Sequence, residues 1–392
     1  MNSRFSMMSK LNVFFTPTKI ILGNGAASQA GAEARRLGGS RALIVTDKVV
    51  IKAGLMAGVE ESLKAEKIEY DIFDKVEAEP KAVIADECVQ VTKSGGYDII
   101  IGIGGGSSLD IAKCASVVAI NGGKVLDYAG TDTIPRRGLP KILVSTTAGT
   151  GSEVTRTFIV TDEADSFKKP VHSDFALADV AIVDPTLTVS MPPVVTADTG
   201  MDALVHAIEA YTSATATPFS DVLAREAIEL IADNLLAAFA KPDNMEARFN
   251  MALGAMLAGL AFASGGLGIV HGLSNLMGIK YNMTHGRSNA VILPYVVEYN
   301  RIANVIKFAE VAEAMGANTE GLTDYEAAEE LAPLIFRYLD DLQIPANLSA
   351  YGITEKDLPG LVDGTMKVNR LFIPNPRLPN KDDVRGIFEQ AL

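Results

Sequence analysis

The sequence predicts an α/β region followed by an all-helical region, and three observations support this fold class. Before about residue 190, short β-branched runs alternate with helical stretches, a pattern typical of a parallel sheet covered on both faces. After Pro192 and Pro193 the strand patterns disappear and helical patterns dominate. The length of 392 residues suits two domains. We therefore expect an α/β domain over residues 1–192 and an all-helical domain over residues 193–392.

Composition narrows the class of protein. Hydrophobic residues make up 48% of the chain and charged residues 21%, as in globular proteins. The net charge of −13 argues against nucleic-acid binding, which needs clustered Lys and Arg. Cys88 and Cys114 are too few for a disulfide framework and form no CxxC motif, and the N-terminus lacks the features of a signal peptide. These observations favour a cytoplasmic location.

An uncharged segment over residues 249–270 tests the prediction of a soluble protein, because it is long enough to span a bilayer. It is rich in Ala and Gly, is interrupted by Ser-Gly-Gly at 264–266 and has no second span to accompany it. A buried core helix is therefore expected here, and no membrane association.

The individual strands of the first region follow from short apolar runs. The runs predicted as strands of the sheet are "KIILG", "RALIVTD", "IEYDIFD", "YDIIIGIGGG", "PKILVSTT", "TFIVTD" and "DVAIVDP". One of them leads into "GGGSSLDIAK", where a tight turn at Gly104, Gly105 and Gly106 precedes a helix capped by Ser107 or Ser108. Glycines allow the backbone to approach a pyrophosphate, and the helix start favours its charge. The alternative is an ordinary strand-to-helix turn.

Asp47 ends the strand in "RALIVTDK", where a carboxylate can accept hydrogen bonds from an adenosine ribose and would repel a 2′-phosphate. This favours NAD over NADP. In the usual dinucleotide fingerprint the acidic residue follows the glycines, whereas Asp47 precedes them by more than 50 residues, so a standard Rossmann unit is not expected. The alternative is an aspartate that only forms the turn at the end of the strand.

The loop "STTAGTGSEVT" at 145–155 follows another buried strand and combines glycines with hydroxyl groups. Thr146, Thr147, Thr150 and Thr155 can donate to phosphate or ribose oxygens. A solvated loop without a ligand is the alternative.

The second region contains long helical patterns. The predicted helices are "SDVLAREAIELIADNLLAAFA", "MEARFNMALGAMLAGLAFAS", "SNAVILPYVVEYN", "ANVIKFAEVAEAMG" and "YEAAEELAPLIFRYLDDL", preceded by the helix in "DTGMDALVHAIEAY".

Asp202 and His206 lie four residues apart on that preceding helix, so they share a face in apolar surroundings. With His271 and His285 they make three imidazoles and a carboxylate, a set that suits Fe(II) or Zn(II) and leaves a position open for a substrate oxygen. The alternative is that Asp202 complements the helix dipole and each histidine is a core residue. His172 lies in a charged context and is expected to be structural or exposed.

Several motifs in the same order resemble the iron-containing (group III) alcohol dehydrogenases, from about residue 12 to the terminal "NPR" segment. These motifs are "GGGSSLDIAK", "TTAGTGSEVT", "VAIVDP", "TGMDALVHAIEAY", "AGLAFASGGLGIVHGLSN" and "THGRSNAVILPYVVEYN". The resemblance implies the fold shared by dehydroquinate synthase and iron-containing alcohol dehydrogenase, with NAD(P) and one divalent metal ion between the two domains.

The resemblance also assigns site residues. It implies that Asp202, His206, His271 and His285 are the metal ligands and that Phe262 lines the substrate pocket, although Phe262 can equally be a core aromatic. The cofactor contacts that it implies are Asp47, Gly105, Gly106, Ser107, Asp110, Thr146, Thr147, Thr155, Lys168 and Leu187.

Two positions depart from the family pattern. Asn275 stands where the family usually has a histidine close to the reacting carbon, and an amide cannot exchange a proton near neutral pH. Either another group, a ribose hydroxyl or water carries the proton, or the substrate differs. Glu79 stands where the family often has Asn near the adenosine.

The activity that the resemblance implies is reversible hydride transfer between a primary alcohol or small aldehyde and nicotinamide. The implied cofactors are NAD and Fe(II), with Zn(II) as the alternative ion, and the implied assembly is a homodimer or larger homo-oligomer. Alternatives are a dehydroquinate-synthase-like lyase and a metal- and nucleotide-binding protein without catalysis. A third alternative is a reductase of short aldehydes that carry a carboxylate, sulfonate or phosphonate. It would use Arg370, which lies in "VNRLFIPNPR". The alternative is a structural Arg370 that holds backbone carbonyls or pairs with a surface acid such as Asp363.

Overall fold

The structure is a computed structural model that describes residues 11–165, 167–281 and 283–392. The chain divides into two compact units, residues 15–191 in one and residues 192–392 with residues 11–14 in the other. The described part of the first unit combines strands and helices, and the described part of the second is helical. The predicted fold class is therefore confirmed.

The larger sheet contains six parallel strands in the order β1-β9-β6-β4-β2-β3. The nine strands of the described residues are β1 (Lys19–Leu22), β2 (Arg41–Val45), β3 (Glu69–Phe73), β4 (Ile99–Gly104), β5 (Gly130–Thr131), β6 (Lys141–Ser145), β7 (Thr157–Asp162), β8 (Phe167–His172) and β9 (Val180–Val183). The chain passes from β2 to the edge strand β3 and then returns to the other side of β2, so strand order reverses between β2 and β4. In open α/β sheets, ligands bind at the carboxyl ends of the strands at such a reversal.

Both faces of this sheet are buried, as its apolar strands predict. Alternate residues of one strand point to opposite faces. Ile100 packs into one apolar core, whereas its neighbours Ile99 and Ile101 pack into the other. The prediction of a parallel sheet covered on both sides is confirmed for β4 and its neighbours.

One strand was assigned to the wrong sheet by its sequence pattern. "TFIVTD" forms β7, which pairs antiparallel with β8 in a separate three-stranded sheet with β5. Only alternate residues of β7, Phe158 and Val160, are fully buried, as in an antiparallel sheet with one packed face. The partner strand β8 has the sequence "FKKPVH", whose charges and proline hide its strand character.

The helices of the first unit lie between the strands. They are α1 (Ala30–Arg36), α2 (Lys48–Lys52), α3 (Ala57–Ala65), α4 (Ala82–Gly95) and α5 (Gly106–Asn121). The helices of the second unit are α6 (Pro193–Thr212), α7 (Pro218–Ala240), α8 (Met245–Gly265), α9 (Ile269–Tyr281), α10 (His285–Asn300), α11 (Val305–Ala314), α12 (Asp324–Glu329), α13 (Leu331–Asp341), α14 (Leu358–Lys367) and α15 (Lys381–Ala391).

The segment "YEAAEELAPLIFRYLDDL", predicted as one helix, forms two, α12 and α13. The second helix begins at Leu331, which places Pro333 in its first turn. A proline is tolerated there because the first backbone N–H groups of a helix have no partner within it. A continuous helix would have placed the proline in its interior.

Helix α8 is long and apolar enough to cross a membrane, and it is the one such helix among the described residues. Of its most apolar window, 61% is buried within the protein, and the helix packs against α6 and α7. A single helix of this kind is weak evidence for a membrane span, since core helices have the same composition.

Candidate metal centre and nucleotide-binding turn

Helix α6 brings acidic and imidazole groups into an apolar environment. Pro193 is its first residue, a position that proline favours. The helix packs against α7, α8 and α10, so even its polar positions are buried: Asp202 is 2% exposed and His206 is 4% exposed. Glu209, 6% exposed, continues the same face of the helix.

The start of α10 is tied to α6, which positions His285 as the first residue of that helix. The Thr284 hydroxyl accepts a hydrogen bond from the Arg287 N–H and donates one to Asp198 on α6. The Arg287 side chain donates to the other oxygen of Asp198 at 2.6 Å. His285 is therefore held next to the polar face of α6.

Four side chains that the sequence predicted as metal ligands converge. The Oδ1 atom of Asp202 lies 3.9 Å from the Nε2 atom of His206, 3.9 Å from that of His271 and 3.8 Å from that of His285. The carboxylate oxygen and the ring nitrogens of Asp202, His271 and His285 all lie within 4.8 Å of one another. The rings of His206 and His271 stack with centroids 4.8 Å apart. The group of Asp202, His271 and His285 can hold a divalent cation, and His206 places a third ring nitrogen 3.9 Å from the same carboxylate oxygen.

Asp202 is kept ionised although it is buried. Burial alone would raise the pKa of its carboxyl group, but His206, His285 and His271 together with a hydrogen bond from Asn289 outweigh that effect and lower the pKa to about 2. The Asp202 carboxyl group is therefore ionised at neutral pH, the form in which a carboxylate can bind a metal ion.

Two further residues of the centre were missed by the sequence analysis. The Asn289 amide, fully buried on α10, donates to Asp202 Oδ1 at 2.7 Å and lies 3.2 Å from His271 Nε2 and 3.3 Å from His285 Nε2. Glu209 contacts His271 Nδ1 at 2.6 Å. The spacing in the sequence could have indicated both residues, because residues three or four apart on a helix lie on the same face. Asn289 follows His285 by four residues, and Glu209 follows His206 by three.

Of the three residues predicted on the substrate side, Phe262 contacts a residue of this centre, whereas Asn275 lies on α9 and Arg370 lies in a turn beside α9. The Phe262 ring packs against the ring of His206 with centroids 4.5 Å apart. Asn275, partly buried, lies four residues after His271 on α9. Arg370 lies in the 3-10 turn Asn369–Leu371, which packs against α9, and Leu371 faces the position of Gly272 next to His271.

Arg370 does not make the structural ion pair suggested as its alternative role. Asp363 pairs instead with Lys381 at 2.7 Å. Within the described ranges, Arg370 has neither an acidic partner nor a hydrogen-bond acceptor. Its side chain remains exposed, yet the surrounding protein lowers the pKa of the guanidinium through desolvation.

In the first unit, the glycine turn lies where the order of the sheet reverses. Gly104 ends β4 with φ +149°, and a Cβ atom there would lie 2.6 Å from the hydroxyl oxygen of Ser108. The expected serine cap is wrong: α5 begins at Gly106 with Gly105 as its N-cap, and no side chain of the described residues caps it. Ser107 and Ser108 lie inside the first turn. The uncapped start of the helix can bind an anion through its backbone N–H groups.

Asp47 and Thr147 lie on either side of this turn. Asp47 Oδ2 is 3.4 Å from where a Cβ of Gly104 would lie, and its Oδ1 accepts from two N–H groups at the start of α2. Thr147 contacts the corresponding position of Gly105 at 3.5 Å. The Thr147 hydroxyl is buried and has no hydrogen-bond partner among the described residues. A ligand oxygen at the turn would give it one.

Other predicted cofactor contacts are engaged within the protein. Asp110 accepts from Ser152 Oγ and from the Ile159 N–H, and Thr155 accepts from the buried ammonium of Lys113. These bonds hold the 145–155 loop against α5. Thr146 joins the same edge through its N–H, which donates to the Gly104 carbonyl.

The last two predicted contacts lie in different surroundings. Lys168 on β8 forms an ion pair with both carboxylate oxygens of Glu79, at 2.9 and 3.0 Å. Leu187 packs into the apolar core beneath the ends of β4 and β6. Of the predicted cofactor contacts, Asp47 and Thr147 therefore lie against the glycine turn, and Gly105, Gly106 and Ser107 belong to the turn and the start of α5.

Comparisons with known proteins agree with both halves of this description. Residues 17–185 match the family model described as iron-containing alcohol dehydrogenase, and residues 196–392 match the one described as Fe-containing alcohol dehydrogenase family, C-terminal. The chain is 42% identical over 388 residues to "Long-chain-alcohol dehydrogenase 1" of Geobacillus thermodenitrificans, covering 98% of each chain.

Two solved structures resemble the chain over nearly its whole length. A crystal structure of 1,3-propanediol oxidoreductase has a TM-score of 0.95 at 40% identity, covering 98% of this chain and 100% of the other. The sulfoacetaldehyde reductase of Bifidobacterium kashiwanohense, in complex with NAD+, has a TM-score of 0.88 at 28% identity, covering 98% and 99%.

Proposed function

The chain belongs to the iron-containing alcohol dehydrogenase family, and on that basis we propose that it interconverts primary alcohols and small aldehydes at the centre formed by Asp202, His206, His271 and His285. It is a metal-dependent, NAD-linked oxidoreductase. The observation that carries the proposal is the position of one carboxylate oxygen of Asp202 at 3.8–3.9 Å from three imidazole nitrogens.

The donor set fits a first-row divalent ion. Three imidazoles and one carboxylate suit Fe(II), with Zn(II) as the alternative, and four protein ligands leave room for a substrate oxygen. Asp202 offsets part of the ion's charge because its carboxyl group stays ionised. When bound, the ion supplies a Lewis acid for the alcohol or aldehyde oxygen, and NAD accepts or donates the hydride.

Residues around the centre have distinct roles in this proposal. Phe262 covers one side of the His206 ring and excludes water from it. Asn275, on the same helix as His271, can hold a substrate hydroxyl or a ribose hydroxyl by hydrogen bonding. Since an amide does not exchange protons near neutral pH, Asn275 orients the substrate, and a hydroxyl group or water carries the proton.

The dinucleotide is bound, in this proposal, by the first unit, residues 15–191. The start of α5 and the glycine turn receive the pyrophosphate, Thr147 donates to it, and Asp47 accepts from the adenosine ribose. Asp110 and Thr155 support the loop from behind through Ser152 and Lys113. Lys168 and Leu187 are further cofactor contacts that the family resemblance implies.

The test is a panel of alcohols and aldehydes assayed with NADH and NADPH, in the presence of added Fe(II) or Zn(II). Steady-state oxidation of NADH by an aldehyde supports the proposal. A lyase of the dehydroquinate-synthase type would show no net NADH consumption, and a protein that only binds nucleotide and metal would show no turnover.

A second candidate function is reduction of short aldehydes that carry an anionic group, and Arg370 favours it. This guanidinium has no acidic partner in the described part of the chain and lies in a turn that packs next to His271 on α9. Paired N–H donors match the oxygens of a carboxylate, sulfonate or phosphonate. One solved relative is named for a sulfonated aldehyde, sulfoacetaldehyde.

We also propose a homodimer or larger homo-oligomer and a cytoplasmic location. Both cysteines, Cys88 and Cys114, are buried free thiols, as suits a reducing compartment.

A further inference from the structure

Glu209 connects helix α6 to the beginning of helix α9. Its carboxylate, 6% exposed, makes two short hydrogen-bond contacts with consecutive residues. Oε1 accepts from the Val270 N–H at 2.7 Å, and Oε2 lies 2.6 Å from His271 Nδ1. One side chain therefore holds both the backbone before His271 and the ring of His271 itself.

The contact with the ring determines which nitrogen of His271 carries its proton. A carboxylate only accepts hydrogen bonds, so Nδ1 must be the donor. In a neutral imidazole the other nitrogen, Nε2, then carries the lone pair, and the Asn289 amide nitrogen lies 3.2 Å from it. That nitrogen is the one that faces Asp202 Oδ1, at 3.9 Å.

The contact with the backbone satisfies the start of α9. The first N–H groups of a helix need partners from outside it, and here they come from distant parts of the chain. Asn375 accepts from the Ile269 N–H at 3.2 Å, and Glu209 accepts from the next N–H. A Cβ at Gly268 would lie 2.7 Å from Asn375 Oδ1 and 3.0 Å from Glu209 Oε1, so glycine allows both acceptors to approach.

We propose that Glu209 is a positioning residue for the metal: it keeps the proton of His271 on Nδ1 and fixes the ring so that Nε2 faces the ion. The inference rests on the proposed function, because it assumes a divalent ion held by Asp202 and the histidines. Partners of this kind orient metal-bound histidines in other proteins and raise their basicity.

Glu209→Gln is the discriminating variant, because it keeps the shape but replaces one acceptor oxygen with an NH₂ group. If the NH₂ group faces the His271 ring, Nδ1 must accept the hydrogen bond and the ring proton moves to Nε2. If the NH₂ group faces Val270, it meets the Val270 N–H, and the hydrogen bond at that position is lost because both groups are donors. We expect Zn(II) affinity, measured by competition with a chelator, to fall roughly 10- to 100-fold. Turnover should recover in part when Zn(II) is raised to saturation.

Glu310→Gln is the matched control. Glu310 is a partly buried carboxylate that accepts from the Tyr211 hydroxyl near the end of the same helix, α6, at 2.5 Å. Its amide variant loses a comparable acceptor away from the histidines, so its Zn(II) affinity should match that of the unmodified protein.

A measurement on the unmodified, metal-free protein decides the matter even if Glu209→Gln fails to fold. The chain has four histidines, so ¹⁵N NMR of the rings can assign each tautomer with single His→Ala variants. We expect the Nδ1–H form for His271. An Nε2–H form in the unmodified protein, or unchanged Zn(II) affinity in folded Glu209→Gln, would reduce Glu209 to a helix cap. Failure of the unmodified protein to bind Zn(II) would count against the proposed function, and the tautomer would still be measurable.

Discussion

Asp47 Oδ2 accepts a hydrogen bond from the Ser108 hydroxyl at 3.2 Å, which connects the end of β2 to the glycine turn after β4. The other oxygen, Oδ1, caps α2 by accepting from the Val49 and Val50 N–H groups. Asp47 thus has a structural role in addition to its proposed role in selecting NADH over NADPH. Different variants are needed to separate the effect on stability from the effect on cofactor preference.

We expect kcat/KM for NADH to exceed that for NADPH by about tenfold or more, because the Asp47 carboxylate would repel a 2′-phosphate. Asp47→Asn keeps an N-cap side chain and removes the charge, so it should narrow the preference with little loss of stability. Asp47→Gly should narrow the preference as well, and the lost side-chain cap should lower the free energy of unfolding by a few tenths of a kcal/mol. Equal use of both cofactors by the unmodified protein contradicts this assignment.

His271→Ala or His285→Ala should abolish turnover while NADH binding largely survives. The reason is that these histidines lie in the second unit, whereas the residues proposed to bind NADH lie in residues 15–191. Turnover is measured with saturating Fe(II) or Zn(II), and binding by NADH fluorescence. Full activity of the unmodified protein in a stringently metal-free preparation would disprove the metal assignment.

Thr147→Val should weaken NADH binding without weakening the fold. Its hydroxyl is buried without a partner among the described residues, so removal should leave the melting temperature unchanged or raise it. Loss of one hydrogen bond of about 1 kcal/mol should raise the Kd for NADH roughly fivefold. Thr92→Val is the control, because the buried Thr92 hydroxyl donates to the Cys88 carbonyl within α4, so its removal should lower stability and leave the Kd for NADH unchanged. An unchanged Kd for Thr147→Val would remove Thr147 from the cofactor site.

Lys113 should make stability rise with pH between about 8 and 10.5. Burial lowers the pKa of its ammonium from 10.5 to about 8, only partly opposed by Asp110 and Glu153. In this interval the unfolded chain holds the proton and the folded protein does not, so raising the pH favours the fold.

Comparison with Lys113→Met isolates this effect. Between pH 8 and 10, the free energy of unfolding from urea titrations should increase more for the unmodified protein, by up to about 3 kcal/mol. Lys141, whose pKa burial also lowers to about 8, is present in both proteins, and in Lys113→Met it loses only the Coulombic effect of Lys113, the smallest of the causes acting on it. Parallel pH profiles would show that Lys113 does not titrate there.

Arg370→Ala should raise KM about tenfold for short aldehydes with a carboxylate, sulfonate or phosphonate, and leave neutral aldehydes of equal length unaffected. Arg370→Lys should be intermediate, since an ammonium keeps the charge but loses the paired donors. If propanal or butanal is the better substrate, and Arg370→Ala changes KM equally for anionic and neutral aldehydes, then Arg370 does not bind the substrate and has only a structural role.

The sequence predicted features that depend on local spacing. Periodicity identified α6 and the four-residue separation that places Asp202 and His206 on one face, and apolar runs identified the strands of the parallel sheet. The approach of His271 and His285 to this pair was a hypothesis based on residue types, which the family resemblance supported, because no local pattern encodes contacts between helices.

Features that depend on distant partners could not be predicted. Glu209 reads as one polar residue in an apolar helix until the fold brings His271, 62 residues later, against it. The predicted serine cap of α5 was wrong because tertiary packing decides which groups reach the start of a helix. The start of α9 likewise has acceptors from distant parts of the chain, Asn375 and Glu209. Strand β8 is likewise stabilised by its pairing with β7 against its own composition.

The proposed ligands come from three different helices, α6, α9 and α10. An ion held by Asp202, His206, His271 and His285 therefore acts as a removable cross-link within the second unit. Metal binding would raise the free energy of unfolding of this helical unit, and the increase would grow with the logarithm of the free ion concentration divided by the Kd. The supply of metal in the cell would then change the free energy of unfolding of the enzyme as well as its activity.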